Sequence, residues 1–175
     1  MIQNFFILAI LFYSSVINAR VLISPTEAMQ EHFSSQAVVS KKNILLSKKN
    51  FRAIQKSAKV KLNTKIYRVY TAKTDKKILG YGILINRKVR SKNAVVLYFI
   101  SKNILEGIEI IAFNEPKEYI PTKNWNAQFQ NIKTDTMLKL SRDIPSISGA
   151  TLSAKSITDA SRIAFALYNQ LYKGK

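Results

Sequence analysis

IYRVY at residues 66–70, ILGYGILI at 78–85, AVVLYFI at 94–100 and ILEGIEIIAF at 104–113 form the centre of this chain. All four runs are rich in β-branched and aromatic residues, which favour strands. Short polar breaks such as SKN at 101–103 separate them, and such breaks are typical of hairpin loops. The series therefore predicts an antiparallel meander rather than alternating strands and helices.

Helical patterns flank these runs on both sides. Ser24 to Glu27 reads as a capping box with proline at the first helical position, and this helix is expected to end near Ser35. Ser47 can cap a second short helix, with Phe51, Ile54 and Ala58 on one face. Residues 152–172 predict a long final helix, whose apolar stripe is Ile157, Ala160, Ile163, Ala164, Leu167 and Leu171. The expected fold is α+β: an antiparallel sheet meander with N-terminal helices and a long C-terminal helix.

Composition excludes many classes of site. The chain has 175 residues, of which 47% are hydrophobic, so one domain with a real core is expected. It contains no cysteine, which excludes disulfides, iron–sulfur clusters, a thiol nucleophile and a cysteine-anchored lipid. His32 is the single histidine, so a two-histidine metal motif is impossible. No catalytic triad or pair of catalytic carboxylates stands out.

Charge is unevenly distributed along the chain. The formal net charge is +18, and the stretch from Lys41 to Lys102 holds 18 basic residues and one acid, Asp75. From Asn103 onward there are nine basic and seven acidic residues. Such a basic front half could face nucleic acid, an anionic membrane surface or an acidic protein, or could be an ordinary solvated surface.

The N-terminus predicts export. FFILAILFY at residues 5–13 is too short for a typical membrane-spanning helix but suits the apolar core of a signal peptide, with cleavage after Ala19. A buried first element and an uncleaved anchor are the alternatives. With export, the expected organisation is a signal peptide at 1–19, an N-terminal helical segment at 20–64 packed on the domain, and a main domain at 65–175. A periplasmic or otherwise extracytoplasmic location follows, and the protein could also be membrane-associated there. Nucleic acid is then not expected as a partner.

SGATLS at residues 148–153 is the stretch that carries chemistry. It lies between the irregular region 116–147 and the start of the final helix. Gly149 allows a tight turn and a close approach by a ligand, and a helix start offers free N–H groups to an anion. The physical features alone leave two interpretations open: a phosphate site, or a hydroxyl-rich helix cap.

This stretch resembles the flavinylation motif S/T-G-A-T-x-S/T of the FMN-binding domain family. That family includes the extracytoplasmic flavin subunits of sodium-pumping NADH:quinone oxidoreductases and related electron-transport complexes. A second block, made of Glu115, Tyr119 and WNAQF at 125–129, is similar to the family's acid, turn and W-x-x-Q-F. The GYG strand at 80–82 also fits, and the resemblance covers roughly residues 65–172.

The resemblance implies covalent FMN, joined through its phosphate to the hydroxyl of Thr151. A separate flavin transferase makes this bond, taking the FMN part of FAD. Members often carry an aspartate where this chain has Pro145, and Asp143 lies two residues earlier. The cofactor-binding residues expected besides Thr151 are Ser148, Gly149, Ala150, Leu152, Ser153, Glu115 and Trp125.

The function that the resemblance implies is electron transfer by an exported flavoprotein, an electron carrier or redox subunit rather than a stand-alone enzyme. It would relay electrons between a membrane or periplasmic donor and an extracytoplasmic acceptor. The basic front half would dock an acidic or membrane-bound redox partner. A module of the same fold that binds other molecules without ever receiving flavin is the alternative, and a nucleic-acid or envelope-polymer binder is a third.

Overall fold

A computed structural model describes residues 21–75 and 77–174. Four α-helices and six strands follow one another along these residues. The helices are α1 (Pro25–Phe33), α2 (Lys48–Ala58), α3 (Lys123–Asn126) and α4 (Thr151–Leu171). The strands are β1 (Val38–Leu45), β2 (Ile66–Lys73), β3 (Ile78–Lys88), β4 (Asn93–Ser101), β5 (Ile104–Phe113) and β6 (Ile132–Lys133). A 3-10 turn spans Lys117–Tyr119.

The six strands form one sheet, and their order in the sheet is their order in the chain. Every neighbouring pair is antiparallel. In the centre, Tyr98 of β4 lies between Ile83 of β3 and Ile108 of β5. The predicted α+β fold is confirmed: an antiparallel meander with N-terminal helices and a long C-terminal helix.

Helices α2 and α4 cover one face of the sheet. Ile54 of α2 and Ile157 of α4 are each 1% exposed and belong to one cluster with Ile83 and Tyr98. Burying a side chain of that size contributes about 1.5–3 kcal/mol. The Tyr98 hydroxyl is buried as well and donates a hydrogen bond of 2.8 Å to the carbonyl of Ile157. This bond helps to fix α4, and with it the start of the helix, against the sheet.

Helix α1 covers part of the other face. Met29 is fully buried there among Tyr70, Leu97 and other apolar side chains. Gly82 lies directly beneath Met29, and a Cβ atom added to this glycine would overlap the Met29 sulfur. Gly80 has the same relation to the ring of Phe33. The two glycines therefore let α1 pack directly on the backbone of β3.

The predicted helix starts are confirmed. The Ser24 hydroxyl accepts a hydrogen bond of 3.1 Å from the Glu27 N–H, and Ser47 accepts one of 3.1 Å from Asn50. Each hydroxyl satisfies one of the donors that a helix start leaves free. The final helix also begins and ends within one residue of its expected bounds.

The region expected to be helical at 20–64 contains a strand as well. Strand β1 pairs along its whole length with β2 and forms an edge of the sheet. The predicted signal peptide at 1–19 lies outside the described residues. Within the part that the structure describes, no helix is both long enough and apolar enough to cross a membrane.

Candidate functional site

Helix α4 begins without the cap that the other three α-helices of the described chain possess. Ser24, Ser47 and Thr122 each accept a hydrogen bond from the first turn of their helix. At α4 the capping position is held by Ala150, whose side chain cannot accept one. In residues 21–75 and 77–174, no acceptor faces the N–H groups of 151–153. The start of the longest helix thus presents a row of free donors, together with the positive end of its dipole.

Gly149 makes the turn that leads into α4. Its φ of +76° lies in the left-handed region, where side chains other than glycine are strained. A Cβ atom at this position would meet nothing within 4 Å, so the space beside the turn is open. Glycine is required here by the backbone conformation and not by a close neighbour.

A pocket of about 250 Å³ opens at the start of α4. One wall is the segment 149–153, and the facing wall is made of Val89 and Arg90 from the turn between β3 and β4. Glu115 and Tyr119 complete the lining. The structure thus brings five of the six motif residues together with Glu115, which lies more than thirty positions away in the sequence.

Thr151 and Ser153 differ in their surroundings within this pocket. Thr151 is exposed, and its hydroxyl makes only long contacts, donating 3.3 Å to the Ile147 carbonyl and accepting 3.5 Å from the Ser146 hydroxyl. Ser153 is 1% exposed, and its buried hydroxyl has no hydrogen-bond partner in the described chain. A buried hydroxyl without a partner is rare in proteins and often marks a place where a ligand or a water molecule binds.

Glu115 organises the wall that faces α4. One carboxylate oxygen accepts hydrogen bonds from the backbone N–H groups of Arg90, Ser91 and Lys92, at 3.0, 2.6 and 2.7 Å. The Ser91 hydroxyl donates to the other oxygen at 3.2 Å. These bonds favour the charged form, so they lower the pKa of Glu115, the Lys92 N–H having the largest effect. Glu115 is therefore a buried carboxylate whose role in the fold is to hold the turn between β3 and β4.

Two of the expected cofactor residues lie outside the lining of the pocket. Trp125 is buried against Phe129, with ring centroids 5.1 Å apart, and its indole N–H donates to the carbonyl of Pro145 at 2.8 Å. It therefore anchors the loop that leads into the motif. Ser148 is exposed in that loop. The structure places both beside the segment that forms the pocket and not in its wall.

Arg90 and Val89 are pocket residues that the sequence does not single out. Arg90 is one of many cations in a basic region, and only the pairing of β3 with β4 brings it to the motif. The basic residues on α4 behave differently, since Lys155 and Arg162 both pair with Asp159, which Arg87 also contacts. Asp143, near the position where the resembling family has an acid, accepts from Arg142 and from the Lys139 N–H.

Comparisons with known proteins identify no family for this chain. The chain matches no protein-family model, and it matches no curated protein. No group of three or more histidines and carboxylates within the described residues could hold a metal ion. A function is therefore inferred from the pocket at the start of α4 and from the two sequence blocks that meet beside it.

Proposed function

We propose that the chain is an exported electron-transfer flavoprotein that carries FMN covalently, through a phosphoester on Thr151. One observation carries the proposal: the hydroxyl of Thr151 is exposed at an uncapped helix start, inside a pocket that also contains an unpartnered Ser153 hydroxyl. The predicted signal peptide at 1–19 supports the location outside the cytoplasm.

The residues of the pocket fit the phosphate end of this cofactor. A phosphate needs several donors and a positive environment, and free N–H groups at a helix start supply both. In this pocket, the N–H groups of residues 151–153 and the Ser153 hydroxyl are donors without a partner in the described chain. Glu115 is the acidic residue of the lining, and the N–H groups of the turn and the Ser91 hydroxyl offset part of its negative charge.

The same pocket also fits an aromatic ring system. Val89, Tyr119 and Leu152 give it an apolar side, and Leu152 is 49% exposed at the first turn of α4. The Leu152 side chain gives a flat ring an apolar surface to rest on at the start of α4. A ligand with a phosphate at one end and a flat ring at the other matches both sides of the pocket.

The attachment reaction requires a separate flavin transferase with FAD as donor. The Thr151 oxygen forms a bond to the phosphorus of the FMN half, the pyrophosphate bond breaks, and AMP leaves. The hydroxyl proton passes to a base of the transferase. The open space beside Gly149 and the exposure of Thr151 give such an enzyme access to the hydroxyl.

When bound, FMN supplies the redox chemistry, and the protein supplies attachment, orientation and tuning. The Thr151 side chain fixes one end of the cofactor, while the turn held by Glu115 and the first turn of α4 form the two walls around it. A covalent link also prevents loss of the cofactor outside the cell. The basic charge of the chain suits an acidic or membrane-bound redox partner, whose association should weaken as salt is added.

The test is in-gel flavin fluorescence after co-expression of the full chain with a competent flavin transferase and denaturation. We expect fluorescence in the wild type and its complete loss in Thr151→Ala. Ser146→Ala is the matched control, because it removes a neighbouring exposed hydroxyl and should keep the signal. A colourless wild type would overturn the proposal and favour the binding module that never receives flavin.

A further inference from the structure

The turn between β3 and β4 contributes an arginine to the pocket at the start of α4. Arg90 lines the pocket together with 149–153, and its backbone N–H is held by Glu115 at 3.0 Å. Within residues 21–75 and 77–174, its guanidinium forms no salt bridge. By contrast, Arg87, Arg142 and Arg162 each pair with an aspartate.

The pocket lining contains one basic and one acidic side chain, those of Arg90 and Glu115. Glu115 is its single acidic lining residue, and both of its oxygens accept hydrogen bonds from the turn. The other polar side chains of the lining are Arg90, Tyr119, Thr151 and Ser153, and each of them can donate a hydrogen bond, as can the N–H groups at the start of α4. An arginine facing a helix start is an arrangement that suits a phosphate, since both can donate to the same group of oxygens.

We propose that Arg90 binds the phosphate of the flavin cofactor, so that the unloaded protein already recognises FMN by its phosphate before any covalent bond forms. This inference rests on the proposed function, since it assigns a ligand to the same pocket. Glu115 is a positioning residue for Arg90, because it fixes the backbone from which the guanidinium extends. Ser153 donates from the helix side.

Two consequences follow for binding without a transferase. The unloaded chain should bind FMN more tightly than riboflavin, because riboflavin has the ring system but no phosphate. Replacing Arg90 should remove most of that preference and leave riboflavin binding unchanged. A charge-assisted hydrogen bond on a partly exposed site corresponds to roughly a tenfold change in affinity.

The experiment is a titration of the unloaded full chain with FMN and with riboflavin at two salt concentrations. Binding is measured by the quenching of flavin fluorescence. We expect Arg90→Ala to weaken FMN binding about tenfold, and Arg90→Lys to recover part of the loss. Lys92→Ala is the matched control: it removes an equal charge from the same turn, but Lys92 does not line the pocket. Because Arg90 is exposed, the melting temperature of Arg90→Ala should equal that of the wild type.

Equal effects of Arg90→Ala and Lys92→Ala would overturn the inference, since they would reduce it to general attraction by a basic surface. Equal affinity for FMN and riboflavin, or no FMN binding up to millimolar concentration, would overturn it too. The two proposals fail separately. Covalent label on Thr151 with no role for Arg90 removes this inference alone, whereas FMN binding that depends on Arg90 without any covalent label removes the covalent attachment alone.

Discussion

Two rows of backbone N–H groups lie in the pocket wall or directly beside it, and they differ in their hydrogen bonding. The row at residues 90–92, in the turn between β3 and β4, is satisfied by the carboxylate of Glu115. The row at 151–153, at the start of α4, has no acceptor in the described chain. In the turn, a buried acid supplies the acceptor that the N–H groups need. At the start of α4, by contrast, the capping position is occupied by Ala150, which has no acceptor in its side chain.

The hydrogen bonds of the first row fix one wall of the pocket. The N–H groups of the second row stay available as hydrogen-bond donors. Most buried polar groups in proteins find partners within the chain, whereas the Ser153 hydroxyl and the N–H groups of 151–153 have none in the described residues. Two kinds of experiment test this difference: removal of the acceptor from the first row, and a search for an acceptor of the second row.

The largest effect is expected for Glu115→Ala. The change leaves three N–H groups of the turn without their acceptor and should cost about 2–3 kcal/mol of unfolding free energy. Urea denaturation of the unloaded protein measures it. Glu118→Ala is the control, because Glu118 is exposed nearby and should change stability by less than about 0.5 kcal/mol. An equally small change in both variants would mean that the carboxylate does not hold the turn.

A smaller effect is expected when Glu115 is titrated instead of removed. Its pKa is lowered in the folded protein, so its contribution to stability is fully present above the pKa of the unfolded chain. The contribution is lost as the pH falls through the lower folded pKa. We therefore expect the stability difference between wild type and Glu115→Gln to be constant near neutral pH and to shrink below about pH 4.5. A difference that grows on acidification would contradict the assigned direction.

The smallest effects separate two serines at helix starts. Ser47 caps α2, so Ser47→Ala should cost about 1 kcal/mol in the unloaded protein. Ser153 has a buried hydroxyl without a partner, so Ser153→Ala should change stability by no more than about 0.5 kcal/mol, and in the stabilising direction. Equal losses in the two variants, measured by thermal unfolding without flavin, would show that Ser153 already has an acceptor.

The sequence predicts most of the fold because its signals are local. The four central runs alternate with short polar breaks, and Ser24 and Ser47 are strong caps. Strand β1 escapes prediction, since its centre, Ser40 to Asn43, is polar on both faces. Such a pattern suits an edge strand like β1, where one side of the strand has no neighbour and much of its surface meets solvent.

The site is predictable only in part, for a different reason. The motif at 148–153 is contiguous and can be read directly. The facing wall depends on the antiparallel pairing of β3, β4 and β5, which brings Arg90 and Glu115 together across 25 positions. Trp125 shows the opposite case: it belongs to a sequence block that resembles the family, yet it contacts the loop before the motif instead of lining the pocket.

The N-terminal segment passes from one face of the sheet, around its edge, to the other face. Helix α1 lies on the first face, β1 forms the edge, and α2 packs with α4 on the second. A cut at residue 65 would therefore bare both faces at once, including Val69 and Tyr70, which are now 1% and 4% exposed. We therefore expect the region that carries the family resemblance not to fold without the N-terminal segment, and amide exchange to report one cooperative opening for both parts.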